Sequence, residues 1–206
     1  MHYRYIIMCG GEYKEWDIPK QLSVVHGETI VGRIIRLLRD NGVSDIAIST
    51  NNPVFGCFGL PILTHDNHYG DGGMWLEGFY PTNDPVCYLF GDVVFSPEAI
   101  KTIVETETDD VEYFASAPPF AENYCKDWAE PFGFKVANPS HFQASIAKTI
   151  EIKDQFGRPP IAWELWQVIK DTPIDHIDYT NYKVINDYTC DIDHKVDVET
   201  FNQILS

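Results

Sequence analysis

The sequence lacks any uninterrupted apolar run near the ~18 residues that a membrane span requires. Its first residues also lack the apolar core and small-residue cleavage site of a secretory signal. Basic residues are few: 15 lysines and arginines stand against 31 aspartates and glutamates, which gives a net charge of −16. That balance argues against nucleic-acid binding, which needs a basic face, and against docking on anionic lipid. We therefore expect a cytoplasmic protein with no nucleic-acid or membrane partner.

Cysteine is scattered as well as scarce. The five cysteines never form a C-x-x-C pair: Cys9, Cys57, Cys87, Cys125 and Cys190. A zinc site or a disulfide framework requires tighter clustering. Cys9 and Cys87 also lie in apolar runs, where a free thiol behaves as a small hydrophobe. We therefore expect all five to be free thiols.

Short apolar blocks alternate with helix-like stretches along the chain. The triplet Ser96-Pro97-Glu98 is typical of a helix start. Strands are predicted at residues 3–9, 45–50, 60–63, 86–90, 111–116, 132–136 and 182–185, and helices at 28–41, 99–104, 141–154, 162–170 and after Asp197. The alternation in the first half favours parallel strands with right-handed crossovers. We predict an α/β fold, a three-layer sandwich around a mostly parallel sheet, with residues 1–206 as a single domain.

Ligands of open α/β sheets bind beyond the carboxyl ends of the strands, so the residues there are the candidates for a site. The first predicted strand runs into Cys9-Gly10-Gly11, and Lys14 and Lys20 follow. Paired glycines let backbone amides approach a phosphate, and a lysine supplies positive charge. The spacing fits neither the Walker loop G-x-x-x-x-G-K-[ST] nor the Rossmann motif G-x-G-x-x-G. The pattern indicates phosphate binding of another kind.

Three stretches resemble, in order, the MobA-like nucleoside-triphosphate transferases, which include sugar-phosphate nucleotidyltransferases and cytidylyltransferases. They are the opening segment 5–50, the FGDVVF segment at 90–95 and the CDIDHKVDV segment at 190–198. The resemblance implies a fold of the nucleotide-diphospho-sugar transferase type, also called glycosyltransferase-A type. The family loop usually reads G-x-G-x-R, whereas this chain has Gly-Gly-Glu-Tyr-Lys at residues 10–14, so Lys14 stands where the family has an arginine.

The resemblance also implies the roles of particular residues. Lys20 and Asp92 are the candidate catalytic residues, with Lys20 expected to be an exposed lysine beside the phosphates. The candidate metal ligands for Mg²⁺, or for Mn²⁺ in its place, are Asp92 and Asp193, with Asp191 as an alternative to Asp193. The candidate nucleotide-binding residues are Cys9, Gly10, Gly11, Lys14, Lys20, Gly72, Gly73 and Gly91.

The expected reaction is transfer of a nucleoside monophosphate from a nucleoside triphosphate to a small phosphorylated acceptor, with release of pyrophosphate. A sugar phosphate is the expected acceptor, although phosphocholine and others stay open, as does the nucleobase. Two alternatives remain. A nucleotide-sugar-dependent glycosyltransferase would hold its metal with a D-x-D pair, which Asp92 followed by Val93-Val94 disfavours. A catalytically silent nucleotide-binding or regulatory paralogue is the second, because the glycine loop departs from the family pattern.

Overall fold

The computed structural model describes residues 1–10, 16–65, 74–119 and 128–206. Five α-helices are found within these ranges: α1 (Ile30–Asp40), α2 (Pro97–Glu105), α3 (Pro139–Glu151), α4 (Ala162–Ile169) and α5 (Lys195–Ile204). The strands are β1 (Arg4–Met8), β2 (Val24–Val25), β3 (Glu28–Thr29), β4 (Ile46–Ser49), β5 (Ile62–Leu63), β6 (Val86–Phe90), β7 (Val93–Val94), β8 (Val111–Ser116), β9 (Pro131–Val136), β10 (Lys183–Ile185) and β11 (Cys190–Asp191). The predicted helices and strands therefore exist, with ends shifted by a few residues.

A seven-stranded sheet forms the centre, in the order β10-β8-β9-β6-β1-β4-β5. All neighbouring pairs in it run parallel except the two that involve β9, which is antiparallel to both β6 and β8. The predicted α/β fold with a mostly parallel sheet is confirmed. Because β9 runs backwards, its first residues lie at the same edge of the sheet as the carboxyl ends of the parallel strands.

Successive residues of the central strands pack on opposite faces of the sheet. Ile7 belongs to an apolar cluster with residues of α1, α2 and α5, whereas Ile6 belongs to a second cluster with residues of α3 and α4. This period of two is what a strand covered on both faces requires. The two helix layers around one sheet give the predicted three-layer sandwich.

The two predicted helix starts, at Ser96 and after Asp197, have different outcomes. The Ser96 hydroxyl accepts a hydrogen bond from the Ala99 N–H at 2.9 Å, and Pro97 is the first residue of α2. The last helix was predicted to begin after Asp197, and this is wrong, because α5 already begins at Lys195. The Asp197 carboxylate reaches back from the first turn instead and accepts the N–H groups of Asp193 and His194 at 2.8 and 2.9 Å.

The cysteines follow the prediction only in part. Cys9, Cys57 and Cys87 are free thiols. Cys190 is disulfide-bonded, so the expectation of five free thiols is wrong for this residue. Cys125 lies outside the described residues. Within the described ranges, no helix has both the length and the apolar character needed to cross a membrane.

Candidate active site

The central strands β1 and β6 end side by side at the carboxyl edge of the sheet. The N–H of Gly91, just after β6, donates to the Met8 carbonyl at 2.9 Å. A Cβ atom at position 91 would lie 2.5 Å from the Met8 carbonyl oxygen and 2.7 Å from the Cys9 sulfur. Only glycine fits this approach. Gly91 was predicted to contact nucleotide, and the contact that the structure gives it is with β1.

A short antiparallel ribbon brings two distant segments of the chain together at the candidate site. Strands β7 and β11 pair antiparallel, with Val93 opposite Asp191. The N–H of Ile192 then donates to the Asp92 carbonyl at 3.0 Å. The ribbon thus holds Asp92 against the segment that contains Asp191 and Asp193, although the chain between them forms half of the fold.

Lys20 lies between two of the predicted metal ligands. Its Nζ is 2.8 Å from Asp92 Oδ2 and 3.4 Å from Asp193 Oδ1. The side chains of Lys20, Asp92 and Asp193 are 4%, 19% and 36% exposed, respectively. The expectation that Lys20 is an exposed lysine is therefore wrong. The ion pairs explain its burial, because a lysine is rarely taken out of water without a charged partner.

The short 3-10 turn Lys20–Leu22 places this lysine. It follows Pro19, and only Ser23 separates it from β2, so the lysine lies in a short connection between a proline and a strand. The neighbouring Gln21 donates through its side-chain amide to the Gly10 carbonyl at 3.4 Å, which ties the turn to the end of β1. Lys20 and Gly10, both predicted site residues, are therefore brought to one place.

Three acidic side chains form a second group at this edge. Glu130, Asp191 and Asp193 each offer a carboxylate oxygen, and these oxygens lie within 4.8 Å of one another. Carboxylate oxygens at this spacing suit a hard divalent cation such as Mg²⁺. The donor set therefore fits the metal that the resemblance implied. Asp193 is shared between this group and the contact with Lys20, whereas Asp92 is outside the group.

Sequence reasoning missed Glu130. The residue is 3% exposed and immediately precedes β9. Two hydrogen bonds tie its backbone to the end of β8: its N–H donates to the Ser116 hydroxyl at 2.8 Å, and its carbonyl accepts the Ser116 N–H at 2.9 Å. An acidic residue just before a strand becomes a site candidate only once that strand is known to be antiparallel. The sequence shows an acidic residue before a predicted strand, but only the direction of that strand places the residue at the site.

Arg33 links the ribbon to α1. This buried arginine of α1 donates through Nε to the Phe95 carbonyl at 2.8 Å and through a terminal nitrogen to the Tyr188 hydroxyl at 2.9 Å. Phe95 follows β7 and Tyr188 precedes β11. One guanidinium therefore fastens both arms of the ribbon to α1, and it holds the elements that carry Asp92 and Asp191 in register.

Of the remaining predicted site residues, the structure describes only Cys9. Gly11, Lys14, Gly72 and Gly73 lie outside the described residues. Cys9 is buried, and burial, together with the negative charge of Asp92, raises the pKa of its thiol well above the ordinary value. The Cys9 side chain is therefore a neutral packing group beneath the site, and its backbone carbonyl accepts a hydrogen bond from the Thr50 hydroxyl at 2.8 Å.

Several solved structures share this architecture. A Bacillus anthracis protein assigned as a glucose-1-phosphate thymidylyltransferase, solved with a sucrose, has a TM-score of 0.65 at 15% identity, covering 98% of this chain and 95% of that chain. The 4-diphosphocytidyl-2C-methyl-D-erythritol synthase of Anaerococcus prevotii has a TM-score of 0.60 at 13% identity, covering 98% and 97%. HddC from Yersinia pseudotuberculosis, solved with GMP-PN, has a TM-score of 0.52 at 14% identity, covering 100% of both chains. These likenesses establish the fold of the nucleotide-diphospho-sugar transferases.

The sequence itself identifies the family. The chain belongs to the MobA-like NTP transferase domain family, whose profile matches residues 5–150, from β1 to the last turn of α3. The resemblance noted in the sequence is thus confirmed at family level, and the protein is nucleotidyltransferase-like. Asp191 and Asp193 lie beyond the matched range. No curated protein sequence matches the chain.

Proposed function

We propose that the protein is a metal-dependent nucleotidyltransferase. It transfers a nucleoside monophosphate from a nucleoside triphosphate to a small phosphorylated acceptor, a sugar phosphate, and releases pyrophosphate. One observation carries the proposal: a buried lysine joins the carboxylates of Asp92 and Asp193 at the carboxyl edge of the sheet, beside the end of β1. Family membership supports the reaction class. Two structures of the same fold, described above with a sucrose and with GMP-PN, are consistent with sugar and nucleotide ligands.

The reaction needs charge and position more than acid–base chemistry. A phosphate oxygen of the acceptor attacks the α-phosphorus of the triphosphate, the new P–O bond forms, and the bond to pyrophosphate breaks. Both reactants are anions, so the protein must bring them together and neutralise them. Lys20 provides a positive charge on a chain whose net charge is −16. A phosphate monoester is already ionised near neutral pH, so no residue has to act as a general base.

Asp193 belongs to two sets of oxygen ligands for Mg²⁺, or Mn²⁺ in its place. It shares the Lys20 ammonium with Asp92, and its carboxylate lies near those of Asp191 and Glu130. When bound, the metal would neutralise phosphate oxygens and orient the triphosphate. Because Asp193 belongs to both ligand combinations, we expect metal binding to depend on it more than on any other carboxylate.

Pyrophosphate release tests the proposal. The purified protein is incubated with each nucleoside triphosphate, Mg²⁺ and a panel of sugar phosphates and other phosphorylated acceptors, and pyrophosphate is measured with a coupled assay. Acceptor-dependent release is expected with at least one pair. Lys20→Met should lower turnover by about 100-fold or more, equivalent to about 2.7 kcal/mol of transition-state stabilisation. Lys195→Met is the matched control, because that exposed lysine pairs with Asp17 and not with Asp92 or Asp193.

Other results would contradict the proposal in distinct ways. Hydrolysis of a nucleotide sugar without any use of a triphosphate would indicate a glycosyltransferase. Tight triphosphate binding with no pyrophosphate released, whatever the acceptor, would indicate a silent binding domain. Equal turnover of Lys20→Met and the parent would remove Lys20 from the chemistry.

A further inference from the structure

The position of the Lys20 ammonium bears on how the site takes up metal. The ammonium contacts Asp92 Oδ2 at 2.8 Å and Asp193 Oδ1 at 3.4 Å, and its side chain is almost completely shielded from water. It is therefore held within the site and not on a flexible surface stem. The two carboxylates come from opposite arms of the β7–β11 ribbon, so the lysine also holds the two arms together at their acidic end.

A divalent cation that bound both carboxylates would need the same space. Mg²⁺ binds carboxylate oxygens at about 2.0–2.1 Å, so an ion shared by Asp92 and Asp193 must sit between them. The ammonium already lies there, within contact distance of both oxygens. Two cations at such a short separation repel strongly, and more so in a partly buried site than in bulk water. Lysine and metal therefore compete for these carboxylates.

We propose that Lys20 is an internal counter-ion that keeps divalent metal from binding between Asp92 and Asp193 until the phosphates of a nucleotide draw the ammonium away. The inference rests on the proposed function, because it takes a nucleoside triphosphate as the ligand that completes the site. It adds a role for Lys20 in the nucleotide-free protein: binding of metal becomes conditional on binding of nucleotide.

The charges at the site explain why nucleotide releases the lysine. A triphosphate offers the ammonium several anionic oxygens. When the ammonium moves to them, the two carboxylates are left with space for a cation. The neighbouring carboxylates of Asp191 and Glu130 add to the negative potential around Asp193. Metal and nucleotide must then strengthen each other's binding by the same factor, because coupling between two ligands is reciprocal. A metal ion that arrives without nucleotide meets two carboxylates whose charge the lysine already neutralises in part.

Direct metal binding tests the inference without catalysis. Mn²⁺ is titrated into the purified protein and followed by electron paramagnetic resonance and calorimetry, with and without a non-hydrolysable triphosphate analogue. For the parent, Mn²⁺ should bind at least about ten-fold more tightly with the analogue than without it. For Lys20→Met, nucleotide-free Mn²⁺ binding should be at least about ten-fold tighter than in the parent, because one unit of competing charge is gone. The enhancement by the analogue should shrink by a similar factor.

Two variants show whether position or total charge matters. Lys20→Arg keeps a cation between the carboxylates and should bind nucleotide-free Mn²⁺ as weakly as the parent. Lys195→Met removes one positive charge from a lysine that is only two residues from Asp193 in the sequence. The Lys195 ammonium pairs with a different carboxylate, that of Asp17, at 3.5 Å. Lys195→Met should also behave as the parent does. If Lys20→Met fails to fold, Lys20→Gln, which is neutral and of similar length, gives the same measurement.

Each result decides the matter. Unchanged nucleotide-free Mn²⁺ affinity in the neutral Lys20 variants would overturn the inference, and so would an equal gain in Lys195→Met, which would trace the effect to net charge alone. A parent that binds Mn²⁺ equally well with and without analogue would also overturn it. Failure of the proposed function looks different: the parent would show the expected Mn²⁺ pattern and yet release no pyrophosphate with any acceptor.

Discussion

Replacement of Gly91 by alanine should disturb the fold and the site together. The added Cβ would lie 2.5 Å from the Met8 carbonyl oxygen and 2.7 Å from the Cys9 sulfur, and the first of these is a backbone atom that cannot turn aside. The ends of β1 and β6 would have to separate. The hydrogen bond from the Gly91 N–H to the Met8 carbonyl, 2.9 Å in the parent, would lengthen or break.

The expected magnitude combines two effects. Overpacking of a well-packed interior costs about 1–3 kcal/mol, and one lost backbone hydrogen bond costs about 1 kcal/mol. We therefore expect Gly91→Ala to lower the free energy of unfolding by about 3 kcal/mol. In a chain of 206 residues this corresponds to a fall of the melting temperature on the order of 10 °C. Since Asp92 follows directly, turnover should fall by about ten-fold or more as its carboxylate moves away from Lys20.

Urea denaturation followed by fluorescence measures the change, and Gly56→Ala is the matched control. A Cβ atom added at Gly56 would have nothing within 4 Å, so the same substitution there should leave the free energy of unfolding within about 0.5 kcal/mol of the parent. A Gly91→Ala variant as stable as Gly56→Ala would show that β1 and β6 can separate freely. The proposed reason for glycine at the end of β6 would then be wrong.

Three further predictions concern charged side chains. Asp193→Asn should lower the free energy of unfolding in metal-free buffer by about 1–3 kcal/mol by urea titration, because it removes a partner of the buried Lys20; equal or higher stability would instead indicate carboxylate repulsion. Hydrogen bonding from Arg36 lowers the pKa of Glu28 below 4.5, so its ion pairs should stabilise the fold at neutral pH and be lost as the pH falls through that lowered pKa. The stability difference between Glu28→Gln and the parent, about 0.5–1 kcal/mol at neutral pH, should therefore vanish in acid, and a constant difference would contradict this. Lys135→Met should lower the free energy of unfolding by about 2 kcal/mol, because the Lys135 ammonium donates to two carbonyls at the end of α2. An unchanged melting temperature would refute that role.

Much of the fold could be predicted because its signals are local. The runs at 86–90 and 111–116 are strands with the predicted ends, and Ser96 caps its helix as the sequence indicates. The start of the last helix was misplaced because an aspartate can stabilise a helix from its first turn as well as from the residue before it. Asp197 does the former.

The candidate site was harder to predict because its contacts are not local. The position of Glu130 depends on the direction of β9, and no pattern within a single strand encodes its neighbours. The burial of Lys20 depends on two carboxylates from distant segments, so a loop lysine read by itself is expected to be exposed. For the same reason, two carboxylates that would repel each other alone are held together by a lysine.

The candidate site depends on the β7–β11 ribbon, which pairs segments that are far apart in the sequence. The first two-thirds of the chain hold Lys20, Asp92 and Glu130, yet the remaining carboxylates arrive only with the segment that forms β11. A chain that lacked that segment would still carry all seven strands of the central sheet, but its Lys20 would have only part of its counter-charge. Docking of β11 against β7 therefore completes the candidate site. The candidate site therefore has its complete set of charged groups only once residues 190–193 have been brought to the end of β6 by the pairing of β11 with β7.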